Sequence, residues 1–451
     1  MSAPHAAPGS PGQDLPPTGA GQISPWAWVP SLYFVQGLPY VVVMTLSVVL
    51  YKNLGLSNTD IALYTSWLYL PWVIKPLWSP LLELFSTKRR WITALQFVVG
   101  AALAAVALTI PTAHMLQLSL AVFWLMAFAS ASHDIAADGY YMLAQPKHQQ
   151  AAFVGVRSTF YRLANIGGQG GLVYLAGELA ERTGSVATGW SLVFGGLGAG
   201  FALLALWHLR VLPRPVADAP GPGRAAAGHL VADFLAVFTS FFRKPGITVT
   251  LGFLLLYRFP EAQLLKLASP FLLDPVDQGG LGLSTKEVGI AYGTVGLTAL
   301  TVGGLVGGWV ISRVGLKRAL WPLVLAMHVP NVAFLLLALT HPTSLWVVSA
   351  ALAVEQFGYG LGFTAYMMYM ILVANSGQAE SGGNYATSHY AICTGFMALG
   401  MMIPGMWSGW LQDHLGYVPF FAWVLVATVP SFAMAALIKI PADFGRKDAR
   451  A

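Results

Sequence analysis

Residues 116–142 read Leu-Gln-Leu-Ser-Leu-Ala-Val-Phe-Trp-Leu-Met-Ala-Phe-Ala-Ser-Ala-Ser-His-Asp-Ile-Ala-Ala-Asp-Gly-Tyr-Tyr-Met. A helix crosses the hydrocarbon core of a bilayer with about 20 mostly apolar residues, and this stretch is longer. It lacks the strict two-residue alternation of a membrane β-strand and is too long to be one. Yet it carries His133, Asp134 and Asp138 among its apolar neighbours. A charge at that depth costs at least about 2.5 kcal/mol, so it normally faces a cavity or a partner. The stretch therefore reads as a membrane helix with a functional face.

The rest of the chain reads the same way. Comparable stretches run over 28–51, 60–84, 91–111, 151–177 and 188–211, and again over 247–272, 286–311, 319–340, 344–373, 383–411 and 418–440. With 116–142 they make twelve expected spans and an all-α polytopic membrane protein. Composition agrees. The 451 residues hold 24 Lys+Arg and 18 Asp+Glu, 9% charged, against about 25% in soluble domains. Mean hydropathy is +0.64. A soluble fold of this size lacks its charged surface here. A mostly disordered chain would need low hydrophobicity and high charge. A disulfide scaffold is excluded because Cys393 is the only cysteine. The chain divides into a tail, 1–27, with no signal-peptide pattern; a six-span unit, 28–211; a Pro/Gly-rich basic linker, 212–246, with a surface helix expected near 229–242; a second six-span unit, 247–440; and a tail, 441–451. The equal halves suggest the internal duplication common in transporters.

The net charge of +6 is a matter of topology. Alternate loops carry Lys88-Arg89-Arg90, Lys147, Arg210, Arg214, Arg224, Arg243-Lys244, Arg313, Lys317-Arg318, Lys439, Arg446-Lys447 and Arg450, while the others carry only Lys52, Arg182 and Lys286. Loops rich in Lys/Arg stay in the cytoplasm, which places both termini and the linker there. Nucleic-acid binding is not needed to explain the basicity. Trp26, Trp28, Trp91, Trp190, Trp321 and Trp410 fall near span ends and are expected as interface anchors.

The charges inside spans are Lys75, Asp134, Asp138, Arg157, Arg162, Arg258, Glu261, Lys266 and Glu355. Asp134 and Asp138 are one turn apart on one helix face. Two such carboxylates resist double ionisation, so one of them can carry a proton; the structural alternative is ion pairing to Arg157 and Arg162. Glu355 has no base in its own span and is a further proton candidate. Arg157, with Tyr161 on its face, suits a carboxylate or sugar ligand. Lys75 either snorkels or meets an anionic solute. Pro39 and Pro260 mark corresponding kinks in spans 1 and 7, and broken helices at such places line substrate paths. This makes Gln36, Tyr40, Arg258 and Glu261 candidates, although Arg258 and Glu261 are also spaced to pair locally. The proton-coupling set is thus Asp134, Asp138, Glu355 and Glu261. The substrate set is Gln36, Tyr40, Lys75, Arg157, Tyr161 and Arg258. His133 and Arg162 are given no role, and no metal, cofactor or catalytic residue is expected.

The loop Glu83-Leu-Phe-Ser-Thr-Lys-Arg-Arg90 and its counterpart Gly308-Trp-Val-Ile-Ser-Arg-Val-Gly-Leu-Lys-Arg318 resemble the loop motif of the major facilitator superfamily. Within that superfamily the chain resembles the muropeptide permease (AmpG) branch, related to the acetyl-CoA transporters. The resemblance rests on Tyr33-Phe-Val-Gln-Gly-Leu-Pro39, on Leu70-Pro-Trp72 through Lys75 to Leu77-Trp-Ser-Pro80, on Ser132-His-Asp-Ile-Ala-Ala-Asp138, on Arg157 after Gly155, and on Ser269-Pro-Phe-Leu-Leu273. His133 stands where that branch usually has Gln, and the branch's extra spans are missing. The resemblance implies proton-driven import of anhydromuramyl saccharides and peptides across a bacterial inner membrane by a monomer. The alternatives are another sugar, oligosaccharide or organic anion, or a polytopic transferase using His133 and Asp134. Such a transferase usually has a sizeable extramembrane region, and the loops here are short.

Overall fold

With no water in the bilayer core, every backbone amide must be satisfied within its own segment, and a helix does this. The computed structural model describes residues 23–145, 147–215, 218, 227–376 and 385–446, and every regular element among them is helical. In chain order these are α1 Pro25–Asn53, α2 Asn58–Trp67, α3 Leu70–Phe85, α4 Lys88–Thr109, α5 Met115–Ala144, α6 Lys147–Ile166, α7 Val173–Thr183, α8 Val186–Val211, α9 Ala227–Phe242, α10 Ile247–Leu256, α11 Phe259–Leu273, α12 Thr285–Val314, α13 Leu316–Thr340, α14 Leu345–Asn375, α15 Ala386–Leu415 and α16 Tyr417–Leu437. Among the described residues, nine are long and apolar enough to cross a membrane: α1, α4, α5, α8 and α12 to α16.

The other expected spans are helical but charged or interrupted. The 151–177 stretch is α6 and α7, joined by a π-helical turn at Gly167–Leu172. The 60–84 stretch breaks at Leu68–Tyr69 before Pro71, and the 247–272 stretch breaks at Tyr257–Arg258 before Pro260. Proline suits the first turn of a helix, where its missing N–H would go unused, so each proline starts a new segment. Span 7 is broken, as expected. Span 1 runs through Pro39 and loosens into a π turn at Val42–Leu46. The linker helix is present as α9. Most of the 1–27 tail, Pro220, Pro222, Arg224, Lys447 and Arg450 lie outside the described residues.

Large apolar side chains such as Leu108, Leu203, Leu305 and Trp346 stand exposed on the outer faces, as lipid-facing residues do. Buried side chains form one cluster around Leu46, Phe123 and Phe194 and another around Phe253, Met327 and Tyr366. Trp26, Trp321 and Trp410 are exposed, consistent with anchoring, but Trp28 and Trp190 are fully buried core residues. Proximity to a span end does not say which way a helix turns its ring.

Glycine sets the closest approaches between the two sets of helices. A Cβ on Gly293 would strike the backbone of Gln169, and one on Gly409 would strike that of Asn58. Small residues at such crossings allow backbone-to-backbone packing. The contacts bring Gly167–Leu172 against Gly289–Gly296, and α2 against α15.

Candidate functional site

A cavity of about 860 Å³ lies between these two sets of helices. Its lining is exposed at Ser158, half-buried at Asp138 and buried at Val48, Ser269 and Tyr292, so it opens at one end and closes at the other.

α5 presents Asp134 and Asp138 to the cavity, one turn apart as their spacing requires. Asp138 accepts from Arg157 Nη2 at 2.9 Å and from the Tyr33 hydroxyl at 3.2 Å. The Arg157 guanidinium lies against the Tyr33 and Tyr141 rings, 4.5 and 5.0 Å from their centroids. Asp134 accepts from Trp72 Nε1 at 3.3 Å and faces Lys75 Nζ at 3.6 Å. Trp72 packs edge-on against Tyr40. Both ion pairs keep water contact: the side chains are 29% and 43% exposed in Arg157–Asp138, and 26% and 16% in Lys75–Asp134. Water reaches the Arg157–Asp138 pair more than the Lys75–Asp134 pair, so solvent screening weakens the former more.

The opposite wall differs. Arg258 sits at the break between α10 and α11, outside helical geometry. It donates to the Tyr359 hydroxyl and lies over the Tyr359 and Phe363 rings. Lys266 donates to Thr65 Oγ1 at 2.9 Å and lies 5.5 Å from the Tyr69 ring centroid. Both cations are buried, at 7% and 6% exposure, and neither forms an ion pair among the described residues. Arg162 lines the cavity too and reaches across to the Thr301 carbonyl at 3.2 Å.

The structure gathers Gln36, Tyr40, Asp134, Asp138, Arg157, Tyr161 and Arg258 around one space. Lys75 is not in the lining but aims at Asp134. Glu261 and Glu355 lie behind the wall. The expected Arg258–Glu261 pair is not formed, because Arg258 precedes the first turn of α11 and helical i,i+3 spacing does not apply to it. Glu261 turns inward and accepts from His328 Nδ1 at 2.8 Å and Asn331 Nδ2 at 3.3 Å, beside the 3₁₀ turn Val329–Asn331. Glu355 is fully buried and accepts from Gln356 Nε2 at 2.9 Å. Arg162 does not pair with either aspartate, and its place in the lining corrects its reading as a purely structural residue. His133 points away from the cavity into a buried chain: it meets Gln96 Nε2 at 3.0 Å, Gln96 meets His208 at 2.8 Å, and His208 meets Ser31 at 2.9 Å.

Lys266 was visible in the sequence as an intramembrane charge without an assigned task. Tyr33 and Trp72 stand in the stretches that carry the family resemblance but have no site role there, and Tyr69 and Tyr359 give no signal, since aromatics are abundant in every span.

The closed end is held by polar side chains. Lys52 Nζ lies 2.5 Å from Asp274 Oδ1, and Asp274 Oδ2 accepts from Tyr417 at 2.6 Å and Asn58 at 3.2 Å. Asn58 also donates to Gln412 at 2.6 Å, and Thr59 donates to Asp413. At the α7 terminus, Lys286 reaches Glu178 at 3.1 Å and Glu181 at 2.6 Å. Hydrogen bonds from Arg182 and Lys286 hold the Glu178 carboxyl below its ordinary range. In the sequence, Lys52 and Lys286 were only topology markers.

Residues 31–393 match the profile of the Major Facilitator Superfamily. The chain belongs to that superfamily. The anhydromuropeptide permease of Escherichia coli (strain K12) is 25% identical over 380 residues, covering 83% of this chain and 72% of the permease. A putative transporter AmpG 4 of Rickettsia conorii is 24% identical over 414 residues, covering 89% and 93%. Among solved structures, the nucleoside transporter NupG aligns with a TM-score of 0.64 at 17% identity, over 92% of this chain and 98% of its own. A POT family transporter bound to a thioalcohol-conjugated peptide aligns with a TM-score of 0.65 at 12% identity, over 90% and 94%. The fold is that of the Major Facilitator Superfamily, and this is a multi-pass membrane transporter.

Proposed function

We propose that this transporter imports anhydromuropeptides or related amino-sugar saccharides across a bacterial inner membrane, driven by protons. The observation that carries the coupling is the pair of aspartates on α5, each tied across the cavity wall to one base by an ion pair that keeps some water contact. Protonating Asp138 releases Arg157, whose fork then takes a carboxylate or hydroxyl of the solute. Losing the proton draws Arg157 back and expels the solute. Asp134 and Lys75 work by the same exchange. Glu355 and the inward-facing Glu261 are further proton carriers, and Gln36, Tyr40, Tyr161 and Arg258 complete the solute contacts. The substrate class rests on the resemblance to the anhydromuropeptide permease.

In this reading the chain crosses the membrane twelve times as two six-helix bundles, 28–211 and 247–440, joined by the cytoplasmic linker 212–246. The bias of Lys/Arg among the loops puts the tails 1–27 and 441–451 in the cytoplasm. The cavity then opens inward, and the Lys52–Asp274 end faces outward. The unit is a monomer with protons and a small molecule as its partners.

Reconstituted vesicles with an imposed pH gradient test this. Labelled anhydromuropeptides should accumulate, and accumulation should collapse when the gradient is dissipated, while free N-acetylglucosamine and unrelated sugars serve as comparisons. If no anhydromuropeptide enters, the substrate assignment fails.

A further inference from the structure

The charges of the cavity are unevenly matched. On the α5 side each acid has its base, Asp138 with Arg157 and Asp134 with Lys75. On the α11 side Arg258 and Lys266 are more deeply buried and have no acid at all among the described residues. Glu261 is three residues from Arg258, yet it is turned away and engaged by His328 and Asn331.

What surrounds the two cations holds them without cancelling their charge. Arg258 has the Tyr359 hydroxyl and the faces of Tyr359 and Phe363. Lys266 has the Thr65 hydroxyl and the face of Tyr69. Hydroxyls and ring faces orient a cation and soften its desolvation, but they supply no opposite charge, and both side chains line the cavity. The Arg258 Nε, buried and without a partner, is a further donor still to be used. Retaining an unmatched buried cation is costly, and two on one wall of one cavity mark a receptor for anions.

Geometry narrows the anion. Arg258 sits at the break before α11, and Lys266 lies on α11 with Ala262, Leu265 and Ser269, all lining the cavity. Their heads are held by separate partners, Arg258 by Tyr359 and Phe363 and Lys266 by Thr65 and Tyr69. Two heads anchored apart in this way suit two acidic groups rather than one. We propose that Arg258 and Lys266 form a two-point carboxylate receptor, so that the transported solute carries at least two acidic groups set apart along an extended body. Arg258 binds one in its planar fork and Lys266 binds the other as a point charge. Arg157 and Lys75, held by their acids at rest, take part only after protonation. The receptor deepens the importer reading, because an acidic peptide stem is an extended polyanion.

The test compares anhydromuramyl tripeptide with the same compound amidated at its carboxyl groups, together with a series of α,ω-dicarboxylates of increasing length. Binding to the purified full-length chain and uptake into vesicles are both measured. Losing one charge-assisted contact weakens binding by about tenfold or more. The wild type should therefore prefer the acid to the amide at least tenfold. In Lys266→Gln that preference should fall about tenfold, and Lys266→Arg should restore most of it. Arg258→Lys keeps a charge while removing the fork, and should weaken the acid without abolishing its binding. Equal affinity of the wild type for acid and amide overturns the receptor even if the muropeptide is transported. Binding of long dicarboxylates that depends on Lys266, with no uptake of any muropeptide, upholds the receptor and overturns the muropeptide assignment. If Lys266→Gln keeps the full acid preference, the receptor is also refuted.

Discussion

Asp274→Ala should release the closed end of the transporter. Asp274 is the acceptor on which that end converges: Lys52 at 2.5 Å, Tyr417 at 2.6 Å and Asn58 at 3.2 Å. Its side chain is 7% exposed and that of Lys52 is 14% exposed, so screening is weak. Removing one partner of a buried ion pair costs about 3–5 kcal/mol, because the other charge is left unmatched. Lys52 has some water and keeps Asn58 Oδ1 at 2.8 Å, which argues for the lower figure. Most of that loss falls on the closed conformation, since opening hydrates Lys52. At about 1.4 kcal/mol per decade, 3 kcal/mol shifts the closed-to-open ratio about a hundredfold. Spin labels at Thr183→Cys and Asp277→Cys, both exposed on this end, report the opening by double electron–electron resonance. Cys393, the only native cysteine, is replaced by Ala. The parent should give one narrow distance, and Asp274→Ala should add a longer, populated component. An unchanged distance distribution in a folded variant would refute the idea that this network holds the end shut.

Asp138→Asn should abolish proton-driven accumulation while leaving solute exchange, because the amide can still meet Arg157 but cannot carry a proton; normal accumulation by both this variant and Glu355→Gln would remove the proton assignment. The same spin-label pair should respond to pH. Glu178 has a lowered pKa, so its share of the Arg182–Lys286 cluster is present at neutral pH and lost as pH falls through that lowered value. The closed end should therefore loosen in acid, and a flat profile from neutral pH down to about pH 3, below the reference glutamate value, would contradict this. His328→Ala should lower the thermal stability of the detergent-solubilised chain by at least about 2 kcal/mol, since Glu261 is then left buried without its main donor; an unchanged melting temperature would count against the pair.

Span positions were legible because lipid makes a simple demand. A run such as 188–211 must be helical and apolar whatever its neighbours are, and α8 occupies 186–211. The aspartate pair was legible for a related reason: a carboxylate in a span is costly enough to need a purpose. Partners were a different matter. Arg162 was weighed as a partner for the aspartates but bonds Thr301, and Glu261 was weighed against Arg258 but bonds His328. Trp28 and Trp190 were read as anchors but lie in the core. For Arg162 and the tryptophans the rotation of a helix about its axis decides the outcome; for Glu261 it is the break that takes Arg258 out of helical geometry.

The sequence by itself determined the solvent, the helices and which residues are expensive to hold in a membrane. These follow from transfer free energies and hydrogen-bond satisfaction, which depend on composition and local order. Only the tertiary structure decided which costly charges cancel. It matched Asp134 and Asp138 with bases from other helices, turned Glu261 and Glu355 away from the cavity, and left Arg258 and Lys266 facing it without an acid among the described residues. Such matches are made across helices far apart in the chain, and Coulomb energy depends on distance in space, which local sequence does not contain.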